Sequence, residues 1–550
     1  MENHIKSSKS NLLKKMGKSS LIIFIAFLML ACLHCAMPGS DTDNEKEQGI
    51  FLNVPADALM NHTRWGADID SISKEQAIAA LEEYVLQYAN TQVNRLLFNV
   101  NYLRACYDSK IMTPYWDVPD PSVNTSEWCR KYWQVNKKGI DVFEVCVAKS
   151  REMGTSPWLS FRMNDHHYRD NPNRLSTFML DHPEFRISPT SSFDYANSEV
   201  REFYKSFIRE ALERYDVDGV ELDWMRTHIV FKPGMESQGI EIMNNFMIEI
   251  RAIVEQNSSE RGHPIEIAAR VPSTPAIGRS FGLDGVAWAR DQSVDIIIPS
   301  NFFRPTNFDI PVELWKSEIG NEVSCMIVPG ADAAFRSFRN KSRDMVNSIE
   351  TMRAFAISAY HRGAGSVYLF NNHSFTFEKK IVNPDGSTEK VNDKPVIIRE
   401  GGKLSTIIGK PRRHVLTFTN PDIKRVSNDA PVLKKNDITE YMMYTGPKPS
   451  NGNYIVRIAL ELLPGYNSAD FGVMVNDKPC TQIDDMPVDT AFKYENANDT
   501  GATRNVSEMG ARVMQFRADL KAVNDGYNSI KIVNNKEEEQ EVNWLEIYID

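Results

Sequence analysis

From about residue 49 the chain alternates short β-branched or apolar runs with longer stretches of helical periodicity, a pattern that predicts a parallel sheet with crossover helices. Eight runs read as strands: IFLNV (50–54), VNRLLFNVN (93–101), SPWLSFRMN (156–164), VDGVELDW (217–224), IEIAARV (265–271), VDIIIPSN (294–301), VSCMIVP (323–329) and SVYLFNN (366–372). Eight is the number that closes a barrel. Between them, Ser73 and Gln76 form a capping box ahead of Ile78, Leu81, Val85 and Tyr88 on one face. Asn197 stands as the cap of a helix with Val200, Phe203, Phe207 and Ala211 inward, and Glu199 sits in its first turn, where the macrodipole favours an acid. GIEIMNNFMIEIRAIVEQ and TMRAFAISAYHRGAG continue the helical pattern, the latter stopping at Gly363 and Gly365.

Beyond His373 the alternation ends. FTFEKKIVNPDGSTEKVNDKP, with an Asp385-Gly386 turn, predicts a hairpin excursion. From about residue 437 short strands follow one another without long helices: YIVRIALEL, FGVMVND, RVMQFRADL, NSIKIVNN and NWLEIYID. Their spacing predicts an antiparallel β-sandwich, and the ending resembles jelly-roll modules appended to carbohydrate-active enzymes. The expected α/β architecture is a (β/α)8 TIM barrel over 49–375, a hairpin and linker over 376–436, and a jelly-roll-like sandwich over 437–550, similar to a carbohydrate-binding module.

The fourth run, DGVELDWMR, breaks the apolar rule with two acids. Side chains alternate across a strand, so Glu221 and Asp223 share one face while Val220, Leu222 and Trp224 share the other. The helix-facing side of a barrel strand must be apolar, which assigns the acids to the interior. Two carboxylates in a dry core are costly, so they belong near the C-terminal mouth, where catalytic residues of this fold gather. For Glu221 the competing reading is a satisfied polar layer held by Arg162 and Arg270.

Other strand ends carry matching chemistry: Asn99 and Asn101 on the second, Arg162, Asn164, Asp165, His166 and His167 on the third, and Arg226 after the fourth. Arg270 ends the fifth strand, Asn301 the sixth, and Asn371, Asn372 and His373 the eighth. A polar pocket requires this concentration at one end of the ring. Trp65, Trp116, Trp128 and Trp224 fall on or beside the expected mouth loops, where aromatic faces can stack on sugars, although packing accounts for any one of them. His166 and His167 are adjacent, adjacent side chains diverge, and neither HxH nor HExxH occurs, so no metal and no cofactor are expected. GxGxxG, GxSxG and Walker signatures are absent, which leaves nucleotide and serine-hydrolase readings without support.

Composition narrows the partners. The 550 residues are 42 % hydrophobic and 25 % charged, as in globular proteins of more than one domain, and the net charge of −10 disfavours nucleic acid. Lys6, Lys9, Lys14, Lys15 and Lys18 lead into LIIFIAFLMLA, an apolar run suited to an export signal and short for a bilayer span. Cys32 after LMLA resembles a bacterial lipobox, which implies a signal over 1–31, lipidation at Cys32, and an acidic tether over 32–48 like those that send lipoproteins of the Bacteroidetes to the outer-membrane surface. Cleavage after Ala36 is the alternative. Among the remaining cysteines there is no CxxC; Cys106 and Cys129 can close one loop or remain buried thiols.

With DGVELDW placed in a barrel, the chain resembles the glycoside hydrolase TIM barrels, in particular the glycosyl-hydrolase-like family 10 group of exported bacterial proteins. TQVNRLLFNVN, the segment FDYANSEVREFYKSFIREALERYDVDGVELDWMR and the lipoprotein leader carry the resemblance, which spans roughly residues 50 to 375. Against the α-amylase pattern, Asp223 falls at the nucleophile but the acids of later strands are missing; against the family 18 chitinase pattern DGxDxDWE, Met225 replaces the catalytic glutamate. Neither mechanism carries over.

Glycoside hydrolysis needs two carboxyls, separated by ~5 Å for retention or ~6.5 to 9.5 Å for inversion. Glu221 and Asp223 are i and i+2 on one strand, about 6.5 to 7 Å apart along the backbone, so one can raise the other's pKa. The expectation is that Asp223 is one essential carboxyl and Glu221 or Asp165 the second, with Asp332 a weaker candidate. Arg162, Arg226, Arg270 and Asn301 would orient the sugar, an anionic one included, with Asn99, Asn101, Asn164, His166, Trp224 and Asn371 as further contacts. The expected partner is a polysaccharide or oligosaccharide, with a membrane engaged through the anchor. The second reading is a surface glycan-binding lipoprotein without catalysis.

Overall fold

The computed structural model describes residues 48–118, 126–167, 169–301, 306–332, 334–335, 345–371, 378–382, 387–417, 432–460, 468–487, 494–496 and 512–550, with backbone alone for 378–382, 388, 390–392 and 494–496. The leader with Cys32 and Cys35, the residues Asn372 and His373, and the Asp385-Gly386 turn lie outside the described residues.

Eight parallel strands form the ring: β1 (Ile50–Val54), β2 (Val93–Asn99), β3 (Ser156–Arg162), β4 (Gly219–Asp223), β5 (Glu266–Pro272), β6 (Ile296–Ser300), β7 in two pieces (Met326–Ile327 and Gly330–Ala331) and β8 (Val367–Leu369). Each pairs with the next in chain order, and β8 returns to β1 through Ile50 opposite Val367. The first piece of β7 pairs with β6 and the second with β8. Pro329 lies between them and has no N–H to donate, yet its carbonyl accepts from Tyr368 N–H at 2.9 Å. The chain through Pro329 therefore closes an α/β barrel.

The helices follow from local signals. Ser73 caps α1 (Lys74–Leu86) with both halves of the box made to Gln76. At α2 (Ser198–Arg214), Asn197 holds the cap position but makes no side-chain cap; its amide donates instead to the Asp194 carbonyl at 3.1 Å. Val200, Phe203, Phe207 and Ala211 are buried on the inner stripe. The two remaining long patterns become α3 (Glu236–Arg261) and α4 (Ile349–His361).

The barrel interior is a packed core. Phe51, Leu97, Trp158, Ala268, Ile296, Ile298, Val328, Tyr368 and Phe370 form one apolar cluster inside the ring. Trp158 fills space that Gly219 opposite leaves empty: a Cβ on Gly219 would lie 2.4 Å from the indole. Towards the N-terminal end, Arg95 lies over Phe51 at 4.4 Å and pairs with Glu266 at 2.9 Å.

The C-terminal β domain comprises two antiparallel sheets, one built on Arg412–Val415, Gln540–Ile549, Tyr454–Leu460, Arg512–Arg517 and Thr481–Pro487, the other on Ile438–Tyr444, Tyr527–Asn534, Phe471–Val475 and Lys478–Pro479. Both contribute to one apolar core, with Val456, Ile458 and Ile547 from the first and Val473, Ile530 and Ile532 from the second. Glu378–Val382 and Thr388–Asn392 pair as the expected hairpin, and Tyr494–Asn496 adds a third strand. Residues 48–550 form one compact unit, and Val415, Ala459, Val513 and Trp544 belong to the same core as the barrel helices. Arg362, at the end of α4, pairs with Asp309 and with Glu313 and lies 3.7 Å over the Tyr444 ring across this junction.

Candidate active site

Strand register assembles the site. Asp223 on β4 stands opposite Arg162 on β3 and Arg270 on β5. Arg270 Nη1 donates to Asp223 Oδ1 at 3.2 Å and Oδ2 at 3.3 Å, its Nε donates to Ser300 Oγ at 3.2 Å, and its plane lies 3.6 Å over Phe370. Gly330 makes this possible, since a Cβ there would fall 2.1 Å from Ser300 Oγ. The Met225 N–H also donates to Asp223 Oδ1, at 2.8 Å.

One layer deeper, Glu221 is 0 % exposed and stands opposite Ser160 and Ala268. Asn53 reaches Glu221 Oε2 at 3.5 Å and Ser160 Oγ at 3.2 Å. Burial and the Asp223 charge push the Glu221 carboxyl up to about 7, against the opposing pull of the Ser160 and Tyr368 hydroxyls and Arg270. The two acids of β4 therefore have opposite environments. Asp223 is held by a guanidinium, whereas the Glu221 carboxyl, buried beside it, holds a proton near neutrality.

Asp165 is organised differently. Burial raises its pKa, but His167, Arg162 and Arg226 outweigh that and hold it well below the usual carboxylate range. Its Oδ2 accepts from Arg162 at 2.9 Å, and its Oδ1 accepts from the His167 backbone N–H at 2.9 Å and meets the His167 ring Nδ1. His167 Nε2 lies 3.3 Å from Arg226 Nη2, so an Nδ1–H tautomer serves both neighbours. Arg162 rests 3.6 Å over Tyr102. The arrangement suits Asp165 to anchoring Arg162 and His167 and ill suits it to carrying a proton.

Several expected contacts are placed elsewhere. Trp224 is 0 % exposed and packs among the helices against Tyr195, Phe246 and Trp288, because its position on β4 alternates away from the acids. Asn101 exchanges hydrogen bonds with the Arg162 backbone at 3.1 Å in both directions, and Asn164 ties Phe193 and Ile229 backbone groups together; both amides are used structurally. Asn99 donates to the Ser160 carbonyl at 3.1 Å. The His166 and His167 rings do not diverge but stack, 5.4 Å apart and within 9° of parallel, with His166 Nδ1 on Thr227 Oγ1 at 2.5 Å. Burial and His167 lower the His166 pKa. Trp128 is buried, and Trp65 and Trp116 pack half-buried against the core. Asn301 follows β6 and is 5 % exposed, Asn371 follows β8 in a left-handed turn at φ 50°, and Asp332 follows β7.

Sequence reasoning did not single out Asn53, Ser160, Ser300, Tyr368 or Phe370. Period-two alternation from Arg162 was the available signal for Ser160, whereas Ser300, Tyr368 and Phe370 lie on the opposite parity to Asn301 and Asn371 and were hidden by the choice of those amides as the inward residues. Cys106 and Cys129 are both buried free thiols. A cavity of about 480 Å³ lies outside the ring, lined by Arg279, Asp284, Arg290 and Glu318 among others, and includes none of the mouth residues.

The chain matches no known family model and no curated protein. Among solved structures it is similar to the PgaB (BpsB) glycoside hydrolase domain of Bordetella bronchiseptica, at 10 % identity and a TM-score of 0.38 over 65 % of this chain and 99 % of that one. It is similar to a family GH18 chitinase of Chromobacterium violaceum, at 8 % identity and 0.37 over 91 % of each. It is also similar to the chitinase ChiW of a Paenibacillus species, at 10 % identity and 0.36 over 87 % of this chain, which spans about half (52 %) of that enzyme. Scores of this size transfer neither a family nor an activity.

Proposed function

We propose that the protein is an exported glycoside hydrolase acting on a polysaccharide or oligosaccharide at the C-terminal mouth of the barrel. The observation that carries this reading is the opposed environment of two carboxyls on one strand, Asp223 forked by Arg270 and Glu221 holding its proton near neutrality. General acid–base catalysis favours a group that titrates near the working pH, and the ion-paired partner supplies a fixed negative charge for an oxocarbenium-like transition state. Glu221 is favoured over Asp165 as the second carboxyl, since Asp165 is held too acidic to donate a proton. The glycosyl-hydrolase-like family 10 resemblance, lipidation at Cys32, outer-membrane attachment and a jelly-roll sandwich that braces the barrel or binds glycan belong to the same reading.

The burial of Asp223 and Glu221, 1 % and 0 % exposed, favours a second reading, a glycan-binding lipoprotein without catalysis. A panel of plant and algal polysaccharides decides between them. Release of reducing sugar that Asp223→Asn abolishes while the variant stays folded supports hydrolysis; affinity-gel retardation without release supports binding alone.

A further inference from the structure

The edge of a β-sheet carries N–H and C=O groups that invite a further strand, and proteins close such edges with short strands, charges, prolines, bulges or a covering helix. Among the described residues, the two antiparallel sheets of the C-terminal β domain have four edges, and three are closed in these ways. Arg412–Val415 lies against α4, where His414 Nδ1 meets Ser358 Oγ at 3.4 Å. Thr481–Pro487 is bulged between Ile483 and Met486, carries Asp484 and Asp485, and ends in proline. Lys478–Pro479 is two residues long and exposed, and it follows Asn476 and Asp477, both at positive φ.

The fourth edge is open. Ile438–Tyr444 pairs through all seven residues with Tyr527–Asn534 on one side and, among the described residues, with no strand on the other. It has no proline, no bulge and one charged residue, Glu440, and it presents Ile438 at 59 % and Met442 at 51 % exposed. The strand's own sequence indicates the occupant. Set antiparallel to a copy of itself about a two-fold axis at Tyr441, all seven residues pair: Ile438 with Tyr444, Thr439 with Met443, and Glu440 with Met442. Centring the axis on Glu440 instead sets two carboxylates face to face and shortens the pairing. Glu440 is fixed in place, since Ser529 Oγ donates to its Oε1 and Lys531 Nζ lies 4.0 Å away. A two-fold pairing also closes, so one copy satisfies the edge without open-ended aggregation. We infer that Ile438–Tyr444 docks the same strand of a second copy of this chain, antiparallel about Tyr441.

The test is sedimentation equilibrium of the full chain in density-matched detergent. The expected result for the unsubstituted chain is a monomer–dimer equilibrium. Met442→Glu sets a carboxylate opposite Glu440 of the second copy, twice over by symmetry, and is expected to weaken the dimer about tenfold. Met442→Lys, opposite the same acid, is expected to keep or strengthen it. A monomer at every concentration up to about 100 µM overturns the proposal. Equal weakening by both variants, or a dimer that neither changes, overturns it too, since the pairing then has another register or another surface. Should a variant misfold by circular dichroism, hydrogen exchange of the unsubstituted chain decides: the amides of 438–444 are expected to gain protection as concentration rises, and exchange independent of concentration overturns the proposal.

Discussion

Arg270 holds Asp223 across the β4–β5 pair with one nitrogen 3.2 and 3.3 Å from the two carboxylate oxygens, both side chains being at most 3 % exposed. Removing the guanidinium strands a buried carboxylate. Arg270→Met is expected to lower the unfolding free energy by about 3–5 kcal/mol, and the double variant with Asp223→Asn to lose less than the sum of the two. Urea denaturation of the four proteins of that cycle checks the coupling.

Glu221 titrates at about 7 in the fold, against an ordinary value of 4.5. The folded protein therefore binds the extra proton between those values. Its contribution to stability is complete below 4.5 and is lost as pH rises through 7, amounting to about 3 kcal/mol. Glu221→Gln, neutral throughout, is expected to raise Tm over the parent at pH 8 and to match it at pH 4. Calorimetry at both pH values suffices, and identical pH slopes would contradict the assignment.

Asp165 has the opposite sign. Its lowered pKa contributes stability that is present above the ordinary value of 3.8 and is lost as pH falls below it. Asp165→Asn is expected to destabilise by about 3 kcal/mol at pH 7, with the loss shrinking in acid. If Asp165 only anchors Arg162 and His167, its loss raises KM more than it lowers kcat; a kcat collapse equal to that of Asp223→Asn would make it the second carboxyl instead.

Because Trp544, Val513, Ala459 and Val415 lie in the barrel's own core, a chain ending before Arg412 is expected to be insoluble or to melt well below the full chain. A tethered binding module would leave the barrel's Tm unchanged. Differential scanning fluorimetry of the two lengths separates these outcomes.

Gly219→Ala places a methyl 2.4 Å from the Trp158 ring in the barrel centre. Overpacking of this kind costs about 1–3 kcal/mol or more. Chemical denaturation of the variant reads the loss, and relief by Trp158→Phe would locate it at this contact.

Much of the barrel was legible because its signals are local. Alternation in DGVELDWMR put Glu221 and Asp223 on one face, and the parallel ring bears that out. Trp224 was expected to contact the sugar, but it alternates to the face opposite the two acids and the structure buries it among helices. Asn101 and Asn164 illustrate the limit. An amide at a strand end reads alike whether it faces a ligand or clasps a backbone carbonyl, and here both clasp backbone.

The sequence by itself determined the strand and helix periods, the interior placement of the β4 acids and the gathering of polar residues at one end of the ring, since these depend on neighbours two to four residues apart. Only the tertiary structure decided that Asp223 falls in register with Arg162 and Arg270, that Ser300 reaches Arg270 past Gly330, that Asp165 is spent on Arg162 and His167, and that the C-terminal sheets share the barrel's core. Strand register, ring closure and burial join residues tens to hundreds of positions apart, and the field each acid feels comes from those distant partners.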